Sequence, residues 1–304
     1  MPFFKKLKSN CSNCKAATVK VYFNAIKRLL KLFNNTLEEI PLGSKWLMTD
    51  KLMKAVKKVP LGKRRHLSSA AYKATKVYKL KSDNKWLTQM KADIADYEAA
   101  RNKNQRSAHE IKNLPKSLNE LKKAAREFKK RISRVYAKDK PNLADLFKIQ
   151  KWLILRLAYA FPFRSDLASI NLEKQTGNYL VKNKKGFNII LTDFKASDKI
   201  GEKTIRVKKP EVTVLKTFLK FREKAGVDHD FLLTARSGKP MSRRSFSQIL
   251  SKTTEELLGK KVGPRILRVL FATEHKDVLD KAREVQELML HGNAKQTKQY
   301  TRNK

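Results

Sequence analysis

Four residues near the carboxyl end of this 304-residue chain have types and spacings suited to phosphate chemistry. Arg265 and Arg268 are three positions apart, so a helix would place both guanidinium groups on one face. His291 and Tyr300 follow, nine residues apart. Arginine forks bind phosphate oxygens through paired hydrogen bonds, and a tyrosine hydroxyl can attack phosphorus and become a covalent carrier. The set is therefore suited to covalent phosphoryl transfer.

The same stretch also fits a pair of terminal helices that carry arginines only as surface charge. Leu267, Leu270 and Phe271 recur on one face of a predicted helix. A second helical pattern, residues 285–290, ends at Gly292. The choice between the two interpretations depends on whether the intervals match a known pattern.

Several residue types at fixed intervals make this stretch resemble the tyrosine recombinases, the integrase family. Residues 265–273 resemble the family motif His-x-x-Arg-His-x-Phe-Ala-Thr, and residues 285–291 resemble Val-Gln-x-Leu-Leu-Gly-His. The family also has a tyrosine nine residues after that histidine. The resemblance implies that Tyr300 is the nucleophile of DNA strand cleavage and rejoining, through a 3′-phosphotyrosine and without metal or other cofactor. It assigns the contacts to the scissile phosphate to Arg265, Arg268 and His291.

The resemblance extends back to about residue 160 and assigns a further arginine. A strongly apolar helix is predicted over residues 143–161, and Arg164 follows it as the first catalytic arginine follows such a helix in the family. The family's Arg-x-x-Glu-Leu pattern is shortened here, with Asp166 one position earlier. Without the resemblance, Arg164 could simply cap the carboxyl end of the buried helix.

A small antiparallel sheet is predicted after this arginine, because the pattern changes to short alternating or β-branched runs. The predicted strands cover residues 178–181, 187–191 and 203–207. The family has a catalytic lysine at the end of a strand in this sheet, before a turn. Lys195 matches that place, and Lys199 and Lys203 are alternatives.

Two features depart from the family pattern. Arg265 stands where the family usually has His or Lys, and arginine cannot act as a base at neutral pH. Four residues follow Tyr300, whereas many relatives have a longer terminal helix that docks onto a neighbour. The resemblance implies dimers or tetramers on double-stranded DNA with specific sites. We expect either that assembly here uses another surface or that the chain is truncated.

The net charge of +42 is spread along the chain, with +25 over residues 1–140 and +17 over the remainder. Such a field favours a polyanionic partner, most commonly nucleic acid. A lysine-rich surface that serves solubility explains many individual lysines but not the motif. Hydrophobic residues make up 41% of the chain, which is typical of packed cores and not of disordered sequences.

The sequence predicts an all-helical domain over residues 1–138 and a catalytic domain over residues 139–304, joined by a linker at 138–142. Residues 1–15 are predicted to form a loose basic arm. The predicted helices of the first domain cover residues 16–33, 44–59, 68–80, 85–112 and 117–137. Helix number and charge resemble the SAM-like core-binding domain of the recombinases. The resemblance implies that the two domains form a C-shaped clamp around DNA.

Basic residues concentrate between Ser44 and Ser82, where twelve lysines and arginines accompany one acid, Asp50. We predict that this segment follows the DNA phosphates, although a solvated lysine face would look the same. The candidate contacts are Lys51, Lys54, Lys58, Lys63, Arg64, Arg65, Lys73 and Lys76. Arg243 and Arg244, at the start of a helix predicted over residues 242–258, are candidates in the second domain.

The cysteine content and the lack of long apolar runs indicate an intracellular protein. Together with the expected DNA partner, they place it in a prokaryotic cytoplasm or a host nucleus. Cys11 and Cys14 form one Cys-x-x-Cys, which lacks the further ligands of a zinc site. Free thiols are favoured over a redox pair. No apolar run approaches the ~20 residues of a membrane helix.

Two functions remain as alternatives to site-specific recombination or integration by a viral or mobile-element enzyme. A type IB topoisomerase uses the same covalent chemistry but relaxes DNA without a preferred site. A catalytically impaired relative would bind DNA without cutting it, and Arg265 keeps this alternative open.

Overall fold

The computed structural model describes residues 2–11, 14, 16–34, 40–41, 43–81, 84–103, 105–173, 175–184, 186–275 and 289. The chain divides into two compact units, Met1–Lys103 and Asn104–Lys304. Where it is described, the first unit is helical, and the second combines helices with a four-stranded sheet. The predicted fold class, mainly helical with a small sheet, is confirmed.

The first unit buries the apolar helix faces that its sequence pattern predicts. Its helices are α1 (Pro2–Ser9), α2 (Ala16–Asn34), α3 (Asp50–Lys57), α4 (Leu61–Val77) and α5 (Lys85–Asn102), with a 3-10 turn over Lys45–Met48. On α2, Val19, Ile26 and Leu30 recur at helical spacing and are buried. Helix α4, which carries the small buried side chains of Ala70 and Ala74, packs against both α2 and α5.

Two predictions about the amino terminus are wrong. Residues 2–9 form helix α1 instead of a loose arm, because Phe3 and Leu7 lie one turn apart and both enter the core of the first unit. Cys11 and Cys14 form a disulfide instead of free thiols. A turn closed by the Cys14 N–H on the Cys11 carbonyl brings their α-carbons to 5.2 Å, a usual disulfide spacing.

Capping residues move two helix starts away from the predicted positions. The helix predicted over residues 44–59 is interrupted at Thr49, which has an extended backbone and caps α3 with its hydroxyl. Helix α4 begins at Leu61 instead of residue 68, because Pro60 fixes its own φ just before the first turn.

The second unit is built around one buried helix. Its helices are α6 (Ala108–Asn113), α7 (Leu118–Arg131), α8 (Ser133–Tyr136), α9 (Leu143–Ala160), α10 (Ser197–Ile200), α11 (Lys209–Lys224), α12 (Arg243–Leu258) and α13 (Pro264–Glu274), with a 3-10 turn over Asp166–Ser169. Helix α9 starts at a capping box between Asn142 and Asp145. It is apolar on most sides, and α7, α11, α12 and α13 pack around it.

The division between the units lies at residues 103/104, earlier than the predicted boundary at 138/139. The helix predicted over residues 85–112 is two helices, because Ser107 starts α6 through a capping box with Glu110. Helix α7 then joins the second unit, since Leu121 and Ala125 pack in the same core as α9.

The sheet of the second unit has the strand order β1 (Ile170–Asn171), β2 (Asn178–Asn183), β3 (Gly186–Leu191) and β4 (Lys203–Arg206). The three predicted strands are β2, β3 and β4, and they pair antiparallel. Strand β1 pairs in parallel with β2, so the sheet is mixed and not purely antiparallel. Two residues are too few to produce an alternating pattern, so the sequence gives no signal for β1.

The helix predicted over residues 285–290 lies outside the described residues except for Met289, which is buried in the core of the second unit. Among the helices that the structure describes, none combines the length and apolarity needed to cross a lipid bilayer.

Candidate functional site

Arg164 follows the buried helix α9, as predicted. The chain is anchored just before it by Phe161 and Phe163, which are buried and stack with their ring centroids 5.7 Å apart. Arg164 itself is half-buried. Packing of two aromatic rings therefore fixes the backbone from which the guanidinium projects.

Arg268 is held inside the second unit by helix α13. It is 1% exposed, and its neighbours Leu267 and Val269 are also buried. Its Nη2 donates a hydrogen bond to the carbonyl oxygen of Met289 at 3.1 Å. The structure therefore brings Arg268 into contact with Met289, which precedes the predicted His291 by two residues in the sequence.

Arg265, one helical turn before Arg268, is engaged in an ion pair. Its Nη2 lies 3.2 Å from Oε1 of Glu110, a residue of α6. The Glu110 side chain is 2% exposed and the Arg265 side chain 68% exposed. This pair connects α6 with the helix that carries Arg268, so the departure from the family pattern coincides with a structural contact.

Lys195 lies in the connection between β3 and β4. Its side chain is exposed, whereas the preceding Phe194 is buried in the core. The alternatives, Lys199 in α10 and Lys203 at the start of β4, follow in the same connection. All three lysines remain candidates for the predicted role.

Arg243, predicted as a DNA contact, is engaged by polar groups of the second unit. Its Nη2 donates to the backbone oxygen of Asp193 at 2.9 Å and to Oδ2 of Asp193 at 2.8 Å. The same atom lies 3.8 Å from Oδ1 of Asp166 and 3.4 Å from Oγ of Ser169. Arg244, its neighbour on α12, is exposed.

Asp166, which interacts with Arg164 and Arg243, is almost completely buried, at 3% exposure. Burial raises the pKa of its carboxyl, while the positive charges of Arg243 and Arg164 oppose that rise. The position that resembles the family's glutamate therefore interacts electrostatically with both Arg164 and Arg243.

Asn178 and Asp193 also contact this region, although the sequence does not identify them as site residues. The side chain of Asn178 hydrogen-bonds to Ser169 and to the backbone of Asp193, 15 residues away. An asparagine at the start of a strand is an ordinary feature, so the sequence offers no signal for these contacts.

The predicted phosphate contacts of the first unit separate into two groups. Lys51, Lys54, Lys58 and Lys63 are exposed, and Lys73 and Lys76 are half-buried. The two arginines instead have partners within the unit. Arg64 pairs with the buried carboxylate of Asp93 at 2.7 Å. Arg65 stacks over the ring of Tyr97, with its Cζ 3.8 Å from the centroid.

His291 and Tyr300 lie outside the described residues. Within the described ranges, no group of three or more His, Cys, Asp and Glu side chains could hold a metal ion.

Comparisons with known proteins identify the family and the fold. Residues 146–304 match the phage integrase family. No curated protein sequence matches the chain significantly.

Many solved structures have a similar fold, including the three that follow. One is the integrase of the Tn1549 transposon in complex with transposon right-end DNA (TM-score 0.57, 17% identity, 100% of this chain and 94% of that chain). The second is a lambda integrase dimer bound to a core site (0.53, 15%, 98% and 76%). The third is the XerH recombinase bound to its difH substrate (0.50, 17%, 99% and 91%). At these identities the likeness concerns the fold. Because the family match spans more than half of the sequence, the chain belongs to the phage integrase family of tyrosine recombinases.

Proposed function

We propose that this protein is a site-specific DNA recombinase that cleaves and rejoins strands through a 3′-phosphotyrosine formed on Tyr300. The observation that carries the proposal is the buried Arg268, whose Nη2 binds the Met289 carbonyl, two residues before His291. A guanidinium held in one orientation by a backbone contact is suited to gripping one phosphate.

In the proposed cleavage step, the Tyr300 oxygen forms a bond to phosphorus while the bond from phosphorus to the 5′ oxygen breaks. The tyrosine proton passes to solvent. Only about one phenol in a thousand is ionised at neutral pH, so nearby cations must favour the phenolate. Lys195 gives its proton to the departing 5′ oxygen, which leaves as a hydroxyl. The phosphotyrosine keeps the energy of the broken bond, so rejoining needs no ATP.

The remaining predicted residues stabilise the transition state. Arg164 and Arg268 would bind the non-bridging oxygens, where negative charge develops, and His291 would donate a hydrogen bond to the same phosphate. Arg265 would contribute positive charge, partly offset by its pairing with Glu110.

The first unit would hold the duplex through its exposed lysines. Lys51, Lys54, Lys58 and Lys63 are exposed on or beside helices α3 and α4, as phosphate contacts require. Such contacts position the DNA without reading its sequence, so site choice would depend on contacts to base edges.

A covalent trapping experiment tests the proposal without knowledge of the target site. The protein is incubated with a pool of duplexes of random sequence, each nicked so that a short 5′-hydroxyl fragment diffuses away after cleavage. Denaturing electrophoresis then separates protein–DNA adducts, and sequencing of the attached strand reveals the site. We expect adducts with the wild type and none with Tyr300→Phe, while both proteins retain DNA binding.

The outcomes distinguish the alternatives. Binding without any adduct would overturn the proposal in favour of a DNA-binding relative. Adducts at random sequences, together with relaxation of supercoiled plasmid, would favour topoisomerase activity.

A further inference from the structure

The backbone segment that leads to Lys195 is fixed by one buried asparagine. Asn178 is 1% exposed. Its Oδ1 accepts hydrogen bonds from the backbone N–H groups of Thr192 at 3.1 Å and Asp193 at 2.9 Å. Its Nδ2 donates to the Asp193 carbonyl at 2.9 Å and to Oγ of Ser169 at 3.0 Å. These four bonds use the full capacity of the amide, so the contact strongly specifies the position of residues 192–193.

Arg243 binds the same segment from another side. Its Nη2 donates to the backbone and side-chain oxygens of Asp193, which precedes Lys195 by two residues. It also lies 3.8 Å from Asp166, which follows Arg164 by two residues. One guanidinium therefore connects α12 with the two segments that carry predicted catalytic side chains.

The backbone beyond this contact is also held. Phe194 is 3% exposed, and helix α10 starts two residues after Lys195, so the exposed lysine projects from a chain anchored on both sides. Proton transfer to a leaving oxygen requires a position accurate to a fraction of an ångström, and a displacement of ~1 Å costs about 100-fold in rate.

We propose that Asn178 and Arg243 are positioning residues that place Lys195 for proton donation to the 5′ oxygen, with Arg243 acting as an internal clamp and not as a DNA contact. This inference rests on the proposed function. An exposed ion pair alone would contribute little, since the Arg243 side chain is 42% exposed. The assignment depends on the fact that Arg243 and the buried amide of Asn178 both bind the same residue, Asp193.

The test compares two versions of the trapped site, one with the natural bridging 5′ oxygen and one with sulfur in its place. A thiolate leaves without a proton, because thiols have a pKa near 8.5. An alkoxide is far more basic and leaves readily only when it receives a proton. Loss of the proton donor therefore slows cleavage of the oxygen substrate and spares the sulfur substrate. Lys195→Ala provides the reference pattern.

We expect Arg243→Ala and Asn178→Asp to slow cleavage of the oxygen substrate about 10- to 100-fold and to leave the sulfur substrate within about threefold of wild type. Arg243→Lys should recover only part of the rate, because a compact ammonium does not reproduce the planar guanidinium that contacts both Asp193 and Asp166. Arg244→Ala is the matched control, since it removes the same charge from the adjacent position. It should weaken DNA binding without changing the oxygen-to-sulfur ratio.

Several results would overturn the inference. Equal slowing of both substrates by Arg243→Ala would indicate a general structural role. A loss of DNA affinity with an unchanged ratio would identify Arg243 as a DNA contact. An unchanged oxygen-to-sulfur ratio in Lys195→Ala would show that Lys195 is not the proton donor. If Asn178→Asp fails to fold, the partly exposed Arg243 variants still decide the question. Absence of any wild-type adduct would instead overturn the proposed function.

Discussion

Replacement of Arg64 by alanine should destabilise the first unit, although this residue belongs to the most basic segment of the chain. Arg64 Nε lies 2.7 Å from Oδ1 of Asp93, a carboxylate whose side chain is 0% exposed. Arg64 Nη1 also donates to the Lys57 carbonyl at 3.2 Å. The substitution removes the only cation that the described residues place against this buried carboxylate, and it leaves the charge inside the core.

The magnitude follows from what remains around Asp93. Loss of one partner of a buried ion pair costs about 3–5 kcal/mol. Gln89 still donates to the same oxygen at 2.8 Å, which reduces the cost. The 3.8 Å contact of Arg64 with the exposed Asp96 contributes little. We expect a loss of about 2–4 kcal/mol, which lowers the melting temperature of a unit of this size by about 10–20 °C.

Urea unfolding monitored by tryptophan fluorescence measures this effect, since Trp86 is buried in the first unit. Lys63→Ala is the matched control on the same helix, because Lys63 is exposed. It should change the free energy of unfolding by less than about 0.5 kcal/mol. The salt dependence of DNA binding should show about one fewer counterion released. Arg64→Ala combined with Asp93→Asn should recover much of the lost stability. A stable Arg64→Ala protein that binds DNA poorly would refute the reasoning.

Two further predictions concern the second unit. Burial raises the pKa of the Asp166 carboxyl against the opposing charges of Arg243 and Arg164, so the folded protein binds this proton more tightly than the unfolded chain does. Asp166→Asn should therefore raise the melting temperature at alkaline pH, and the gain should shrink as the pH falls and the wild-type carboxyl becomes protonated; a pH-independent difference would contradict this. Gly186→Ala should destabilise the unit by about 2–3 kcal/mol in urea unfolding, because Gly186 has φ +137° and an added Cβ would lie 2.8 Å from Cγ2 of Val212. Val212→Ala in the same protein should relieve the clash but not the backbone strain, so full recovery would show that strain is negligible.

The sequence by itself determined the family and the fold class, because both depend on local patterns. Apolar residues at helical spacing predicted α2 and α9 to within one or two residues of their ends. Period-two runs predicted the strands that became β2, β3 and β4. Fixed intervals between arginine, histidine and tyrosine indicated the family that the sequence match confirms. The catalytic roles of the individual residues remain predictions.

Only the tertiary structure decided which basic residues are committed to partners within the protein. Arg64 meets Asp93 across 29 residues, and Arg243 meets Asp193 across 50. The unit boundary at residues 103/104 likewise depends on α7 packing against α9. A sequence shows the sign and number of its charges, but a long flexible side chain reaches the carboxylate that packing brings near it. Which arginines stabilise the protein and which remain exposed is therefore decided by contacts between segments far apart in the chain.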